Sequence, residues 1–141
     1  MKRRKSREKA LQSLYQADIA EIQIEKALKN VFSDESLDAG IREFAQRLAL
    51  CTWKNKNEID AYISKYSIGW KMERLANVDR NILRMAVCEM LYEPDIPYKV
   101  SIDEAVELAK KYSTEKAAAF VNGILDSVKR ELEERGEKEQ L

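Results

Sequence analysis

The sequence predicts an all-α protein of about seven helices. Three observations carry that reading. Apolar residues recur at steps of three and four along most of the chain, the spacing of a helix face. Only 4 Gly and 2 Pro occur in 141 residues, too few for the turns of a sandwich or barrel. The breaks that do occur fall between the periodic runs. Such a length suits one domain, or two small subdomains sharing a core, and it needs no disulfide or metal to hold that core.

The first helix starts inside a basic N-terminal arm and runs to about Ile22, burying Leu11, Leu14, Tyr15, Ile19 and Ile22. A short second helix covers residues 24–32, with Ile24, Leu28, Val31 and Phe32 inward. Residues 33–36 break the pattern and offer cap oxygens for a third helix, which carries Leu37, Ile41, Phe44, Leu48 and Cys51 on one face. Asn55 and Asn57 mark a break. A fourth helix then turns Ile59, Tyr62, Ile63 and Tyr66 to one side, and Gly69 fits its left-handed C-cap.

Residues 72–92 are apolar on more than one face, as expected of a central helix. Arg74, Asp79, Arg80 and Arg84 interrupt it, and each needs solvent or a partner. Pro94 and Pro97 end it. Ser101-Ile-Asp-Glu104 matches a capping box for the sixth helix, with Ser at N-cap and Glu at N3, and that helix runs to about Tyr112. Ser113 and Thr114 open the last helix, with Phe120, Val121, Ile124, Leu125, Val128 and Leu132 as its stripe. Gly123 lies inside it, where glycine costs about 1 kcal/mol against Ala. Close packing at a helix crossing and a functional role are both open readings.

The chain holds 25 basic and 25 acidic residues and no His. No imidazole base, shuttle or metal ligand is available. Cys51 and Cys88 are distant in sequence and form no C-x-x-C pair, so they read as buried thiols rather than metal ligands. The four glycines are isolated and make no phosphate loop. No constellation of groups with catalytic roles stands out, and the expectation is a binding protein with no cofactor, metal or enzymatic activity. No apolar run reaches the length of a membrane span and no signal peptide opens the chain, which suggests a cytoplasmic protein.

Balanced charge hides an asymmetry. Residues 1–9 hold six basic groups and one acidic group, a net of +5, so the rest sums to −5. Helical spacing gathers Arg3, Arg4 and Arg7 on the side that carries Leu11 and Leu14. Such an arm neutralises phosphates and stacks on bases, and Tyr15, two turns on from Arg7, offers a stacking face or a core contact. Single-stranded RNA suits this better than duplex DNA, since no base-reading helix is apparent.

Several segments resemble the NusB family of bacterial transcription antitermination factors. They are Arg7, Ala10 and Leu14-Tyr15-Gln16; Trp70; Arg74-Leu75; residues 78–86 and 89–91; Ile96-Pro97; residues 100–110; and Phe120-Val121-Asn122-Gly123-Ile124-Leu125-Asp126. The resemblance covers nearly the whole chain. It implies two packed three-helix-type bundles, with an N-terminal part at about 1–68, a C-terminal part at about 69–132 and a charged tail at 133–141. It implies an RNA-binding factor that pairs with NusE, a small-subunit ribosomal protein. Together they bind the boxA element of ribosomal RNA leaders and nucleate antitermination on RNA polymerase with other Nus factors. By position, Arg3, Arg4, Lys5 and Arg7 correspond to the arginine-rich segment, and Tyr15 to the first-helix tyrosine. Asp79 and Arg80 match the start of the central helix, and Phe120 and Asn122 the C-terminal motif. Where the family often has Lys before that Phe this chain has Ala119, with Lys116 one turn back as its substitute. The family also occurs fused to RNA cytosine methyltransferase domains, a version not expected here. The rival reading is a homo-oligomeric helical interaction module with weak, non-specific RNA binding. It is motivated by the charged residues of the central helix and the proline-bounded 94–100 loop, and it leaves monomer and homodimer both open.

Overall fold

The computed structural model describes residues 2–33 and 38–136. Among them are seven α-helices and no strand. The helices are α1 (Lys2–Ala20), α2 (Ile24–Phe32), α3 (Ala39–Lys54), α4 (Lys56–Tyr66), α5 (Asn77–Tyr92), α6 (Tyr98–Tyr112) and α7 (Glu115–Glu134), with a 3-10 turn at Met72–Arg74 before α5. Helices α1, α2 and α3 pack on one another, while α4, α6 and α7 gather around α5. Two packed helix groups are as the resemblance implies, but α4, which the division at about residue 68 puts in the N-terminal part, packs with α5 and α7.

Helix α5 joins the groups, because it also packs on α1 and α3. Residues 81 to 90 are all buried, so no face of that stretch is left for water. Each fully buried Leu or Ile there, such as Leu83 and Ile82 at 0% exposure, contributes about 1.5–3 kcal/mol. The polar residues that interrupt α5 find partners. Asp18 Oδ2 of α1 accepts from Arg80 at 2.6 and 3.0 Å, from Asn81 at 3.0 Å and from Arg84 at 3.3 Å. Arg84 also donates to both oxygens of Asp60 in α4, at 2.8 and 2.9 Å. One carboxylate thus ties the end of α1 to the start of α5. Burial pushes the Asp18 carboxyl up, but the bonds from Arg80 and Asn81 and the Arg84 charge outweigh it and hold it below its ordinary range.

Three local expectations are corrected, and one open choice is narrowed. Helix α6 begins at Tyr98 after Pro97, so Ser101 lies inside the helix and the capping box does not form. Ser101 Oγ donates instead to Glu89 Oε1 at 2.9 Å, and Glu104 accepts from Arg4. The α3 cap is Asp38, whose side chain accepts from Gly40 N at 2.7 Å, while residues 34–36 and Leu37 lie outside the described residues. Helix α4 ends at Ser67, and Gly69 sits two residues on at φ +83°. There it makes a tight turn closed by Trp70 N donating to Ser67 O at 2.9 Å, a position that favours glycine. Finally, a Cβ built on Gly123 meets nothing within 4 Å. Helix packing therefore does not account for this glycine.

The break at Asn55 and the α7 cap appear as expected. Asn55 separates α3 from α4, and Thr114 Oγ1 accepts from Ala117 N at 2.9 Å.

Candidate RNA interface

The basic arm is helical from Lys2 and is docked on the body of the molecule. Arg7 is 4% exposed and forks onto Glu89 of α5, with Nε to Oε2 at 2.7 Å and Nη2 to Oε1 at 2.9 Å. Arg4 makes a second fork onto Glu104 of α6, at 3.1 and 2.7 Å. The Arg4 guanidinium holds the Glu104 carboxyl below the usual carboxylate range. Arg3 lies over the Phe44 ring, 4.4 Å from its centroid. Glu8 receives Lys111 and the Tyr112 hydroxyl. Lys5 is exposed and, among the described residues, has no ion-pair partner.

A second polar surface lies near the other end of α1, where Asp18 meets Arg80. An open cleft of about 350 Å³ is lined by Trp70, Arg74, Leu75, Ala76 and Asp79 on one side and by Thr114, Lys116, Ala117 and Phe120 on the other. The Gly69 turn presents Trp70, which is 54% exposed. The 3-10 turn presents Arg74, and Arg80 Nη1 anchors that turn by donating to Met72 O at 3.0 Å. Lys116 and Phe120 are one helical turn apart on α7 and share a face. Among the described residues, neither Arg74 nor Lys116 has an acidic partner, and both are exposed. Asp79 stands in the first turn of α5, where the helix dipole favours its charge. Its Oδ1 is shielded from water and has no hydrogen-bond partner among the described residues. A shielded carboxylate oxygen without a donor is costly, and the residue that carries it lines the cleft.

The expected site residues therefore divide. Asp79, Lys116 and Phe120 come together at the cleft. Arg80 lies behind it as an anchor. Asn122 is exposed but does not line the cleft, since two residues turn it about 200° away from Phe120. Tyr15 is 39% exposed and lies on α1 between the arm and the cleft. Arg3, Arg4, Lys5 and Arg7 are at the far end of α1, about 16–22 Å from Asp18 by helical rise. Trp70 and Arg74 were not among the expected contacts, although Trp70, a large aromatic beside a glycine turn, was a visible signal. Gly123 is exposed one turn beyond Ala119 on the cleft side of α7.

An all-helical body with a docked basic helix and an aromatic, cation-flanked cleft is of a kind suited to nucleic acid. Among the described residues, no group of three or more Cys, Asp or Glu is placed to hold a metal, and no helix is long and apolar enough to cross a membrane. The chain belongs to the NusB family, whose model matches residues 4–130. It is 43% identical over 134 residues to the transcription antitermination protein NusB of Bacillus subtilis (strain 168), covering 95% of this chain and 99% of that protein. The structure of T. maritima NusB superposes with a TM-score of 0.86 at 42% identity, covering 92% of this chain and 91% of that one. A chain from a structure of antitermination factors NusB and NusE in complex with dsRNA superposes with a TM-score of 0.85 at 29% identity, over 92% of this chain and 97% of that one.

Proposed function

We propose that this protein is a transcription antitermination factor that binds RNA together with NusE, without catalysis. The observation that carries the reading is the cleft. Trp70 and Phe120 offer faces on which bases stack, each worth about 1–3 kcal/mol. Arg74 and Lys116 neutralise phosphates at its rim, with Lys116 serving where Ala119 has no charge. The Asp79 carboxylate at the cleft wall accepts from a base amine or imino N–H, which gives the cleft a preference among bases rather than mere affinity. Arg3, Lys5 and the exposed edge of Arg4 add phosphate contacts at a distance. Glu8, Tyr15 and Ile19 share one face of α1, so a single strand can run from the arm past Tyr15 to the cleft. Arg7 acts through position, holding α1 against α5.

The intended RNA is the boxA element of ribosomal RNA leaders. NusE raises the affinity by adding contacts, and the complex acts on RNA polymerase with other Nus factors in the cytoplasm. The family membership and the resemblance of the cleft residues support this reading. Fluorescence anisotropy with labelled boxA RNA, a scrambled strand and a duplex, with and without NusE, tests it. The expected result is tighter binding to boxA, strengthened by NusE. Equal, weak, salt-sensitive binding to every RNA would overturn it in favour of an interaction module with a basic end.

A further inference from the structure

Helix α2 packs mainly on α1 and only lightly on α3, and a valley stays open between α2 and α3. Two adjoining cavities of about 550 and 490 Å³ run along it, with Glu25 and Leu50 in the walls of both. The α3 wall is a row at four-residue spacing, Arg42, Gln46, Leu50 and Lys54, which shares one helix face. By helical rise that row is about 18 Å long, the length of about 12 helical residues. Leu28 and Phe32 of α2 form the floor, and Leu50 faces the opening with 39% of its surface exposed. None of these residues belongs to the basic arm or to the Trp70–Phe120 cleft.

The charge of the valley runs against that of the body. Beyond residue 9 the chain sums to −5, yet Lys29, Arg42 and Lys54 line the valley against one acid, Glu25. Lys54 stands at the Trp53 end, and Lys29 and Arg42 at the Phe32 end. Lys29 and Lys54 are exposed and, among the described residues, have no acidic partner. The aromatic rings are already covered by cations of the protein itself. Arg42 lies over Phe32, 5.0 Å from its centroid, and Lys56 over Trp53 at 4.2 Å. Those rings offer little face on which a base could stack, so the valley suits a peptide better than RNA. Its open apolar surface is aliphatic, and its free charges are cationic.

We propose that the α2–α3 valley is a docking site for an acidic amphipathic helix of a partner protein. Such a helix lays apolar residues spaced i, i+3 or i+4, and i+7 on Leu28 and Leu50, and turns carboxylates toward Lys29 and Lys54. It completes a three-helix packing that α2 and α3 leave open on this side. A second copy of this chain fits less well, because acids on the outer faces of its α6 and α7 already meet Lys99, Lys110 and Arg130.

Two stapled helical peptides of about 12 residues test the proposal on the isotope-labelled full chain at pH 7. Both carry leucines at the stated spacing. One has glutamates at its remaining positions and the other lysines. Amide shifts followed by NMR are expected to cluster at residues 24–33 and 42–54 with the glutamate peptide and to stay still with the lysine peptide. Leu50→Glu and the double variant K29E/K54E change only exposed side chains, and each is expected to weaken the glutamate peptide about tenfold. K29E/K54E is also expected to bind the lysine peptide instead. No binding, equal binding of both peptides, or shifts confined to the basic arm would overturn the proposal. So would a single-stranded RNA that displaces the peptide from the same amides, or a dimer in sedimentation that Leu50→Glu dissolves.

Discussion

The basic arm and the Trp70–Phe120 cleft both carry cations, yet they differ in what those cations are doing. In the arm, Arg7 is committed to Glu89 and Arg4 to Glu104, so two of its six cations are met by the protein itself. In the cleft, Arg74 and Lys116 stand beside two aromatic faces and an unpartnered carboxylate oxygen. Total charge is concentrated at one place and available chemistry at another. The arm supplies structure and general phosphate attraction, while the cleft supplies discrimination.

The largest effect that would break this comparison concerns Arg7. Arg7→Ala leaves Glu89 charged, buried and short of its main partner, and is expected to destabilise the fold by about 3–5 kcal/mol. Urea unfolding measures it, and Glu89→Met in the same chain should recover most of the loss. If Arg7 served RNA alone, stability would not move.

Next comes Trp70→Ala. It is expected to weaken boxA binding by about 10–100-fold, the equivalent of one lost stacked base, with the melting temperature nearly unchanged. Anisotropy and thermal denaturation on one preparation read both.

Acid sharpens the comparison at the arm. Arg4 lowers the Glu104 carboxyl, and at Glu8 the bonds from Lys111 and Tyr112 outweigh the upward push of burial. Asp18 is lowered as well. Groups lowered in the folded state bind protons more tightly when unfolded. Their stabilisation is therefore complete above the ordinary carboxylate range and is lost as pH falls below about 4.5. Urea midpoints from pH 7 to pH 3 should be flat at first and then fall.

The smallest effect is Gly123→Ala. Nothing crowds the new Cβ, so the helix should gain about 1 kcal/mol. Unchanged RNA affinity would make the glycine incidental to the interface, whereas a loss would place RNA or NusE against that backbone.

Much of the fold was legible because it is local. The bounds of α2, the Asn55 break, the Thr114 cap and the all-round burial of α5 follow from spacing and side-chain chemistry within a turn or two. The capping box at Ser101-Ile-Asp-Glu104 misled for the opposite reason. Both of its polar residues are taken by partners distant in sequence, Glu89 and Arg4, and Pro97 had already opened the helix. The same long-range pairing hid the fate of Arg7, since no local pattern says that a carboxylate lies on α5. At the cleft, Asp79 and Phe120 were legible through resemblance. Trp70 and Arg74 needed the turn geometry that brings them opposite α7.

The most direct test pairs two double variants, R3A/K5A at the arm and W70A/D79N at the cleft, titrated with boxA and scrambled strands across salt. The arm variant should flatten the salt dependence of log Kd by about 1.4, the share of two single-strand phosphate contacts, and the cleft variant should leave that slope nearly unchanged. The account predicts that the arm variant weakens both RNAs alike and keeps their ratio, while the cleft variant collapses the ratio. An arm variant that loses the preference for boxA, beside a cleft variant that keeps it, would contradict the assignment of recognition to the cleft.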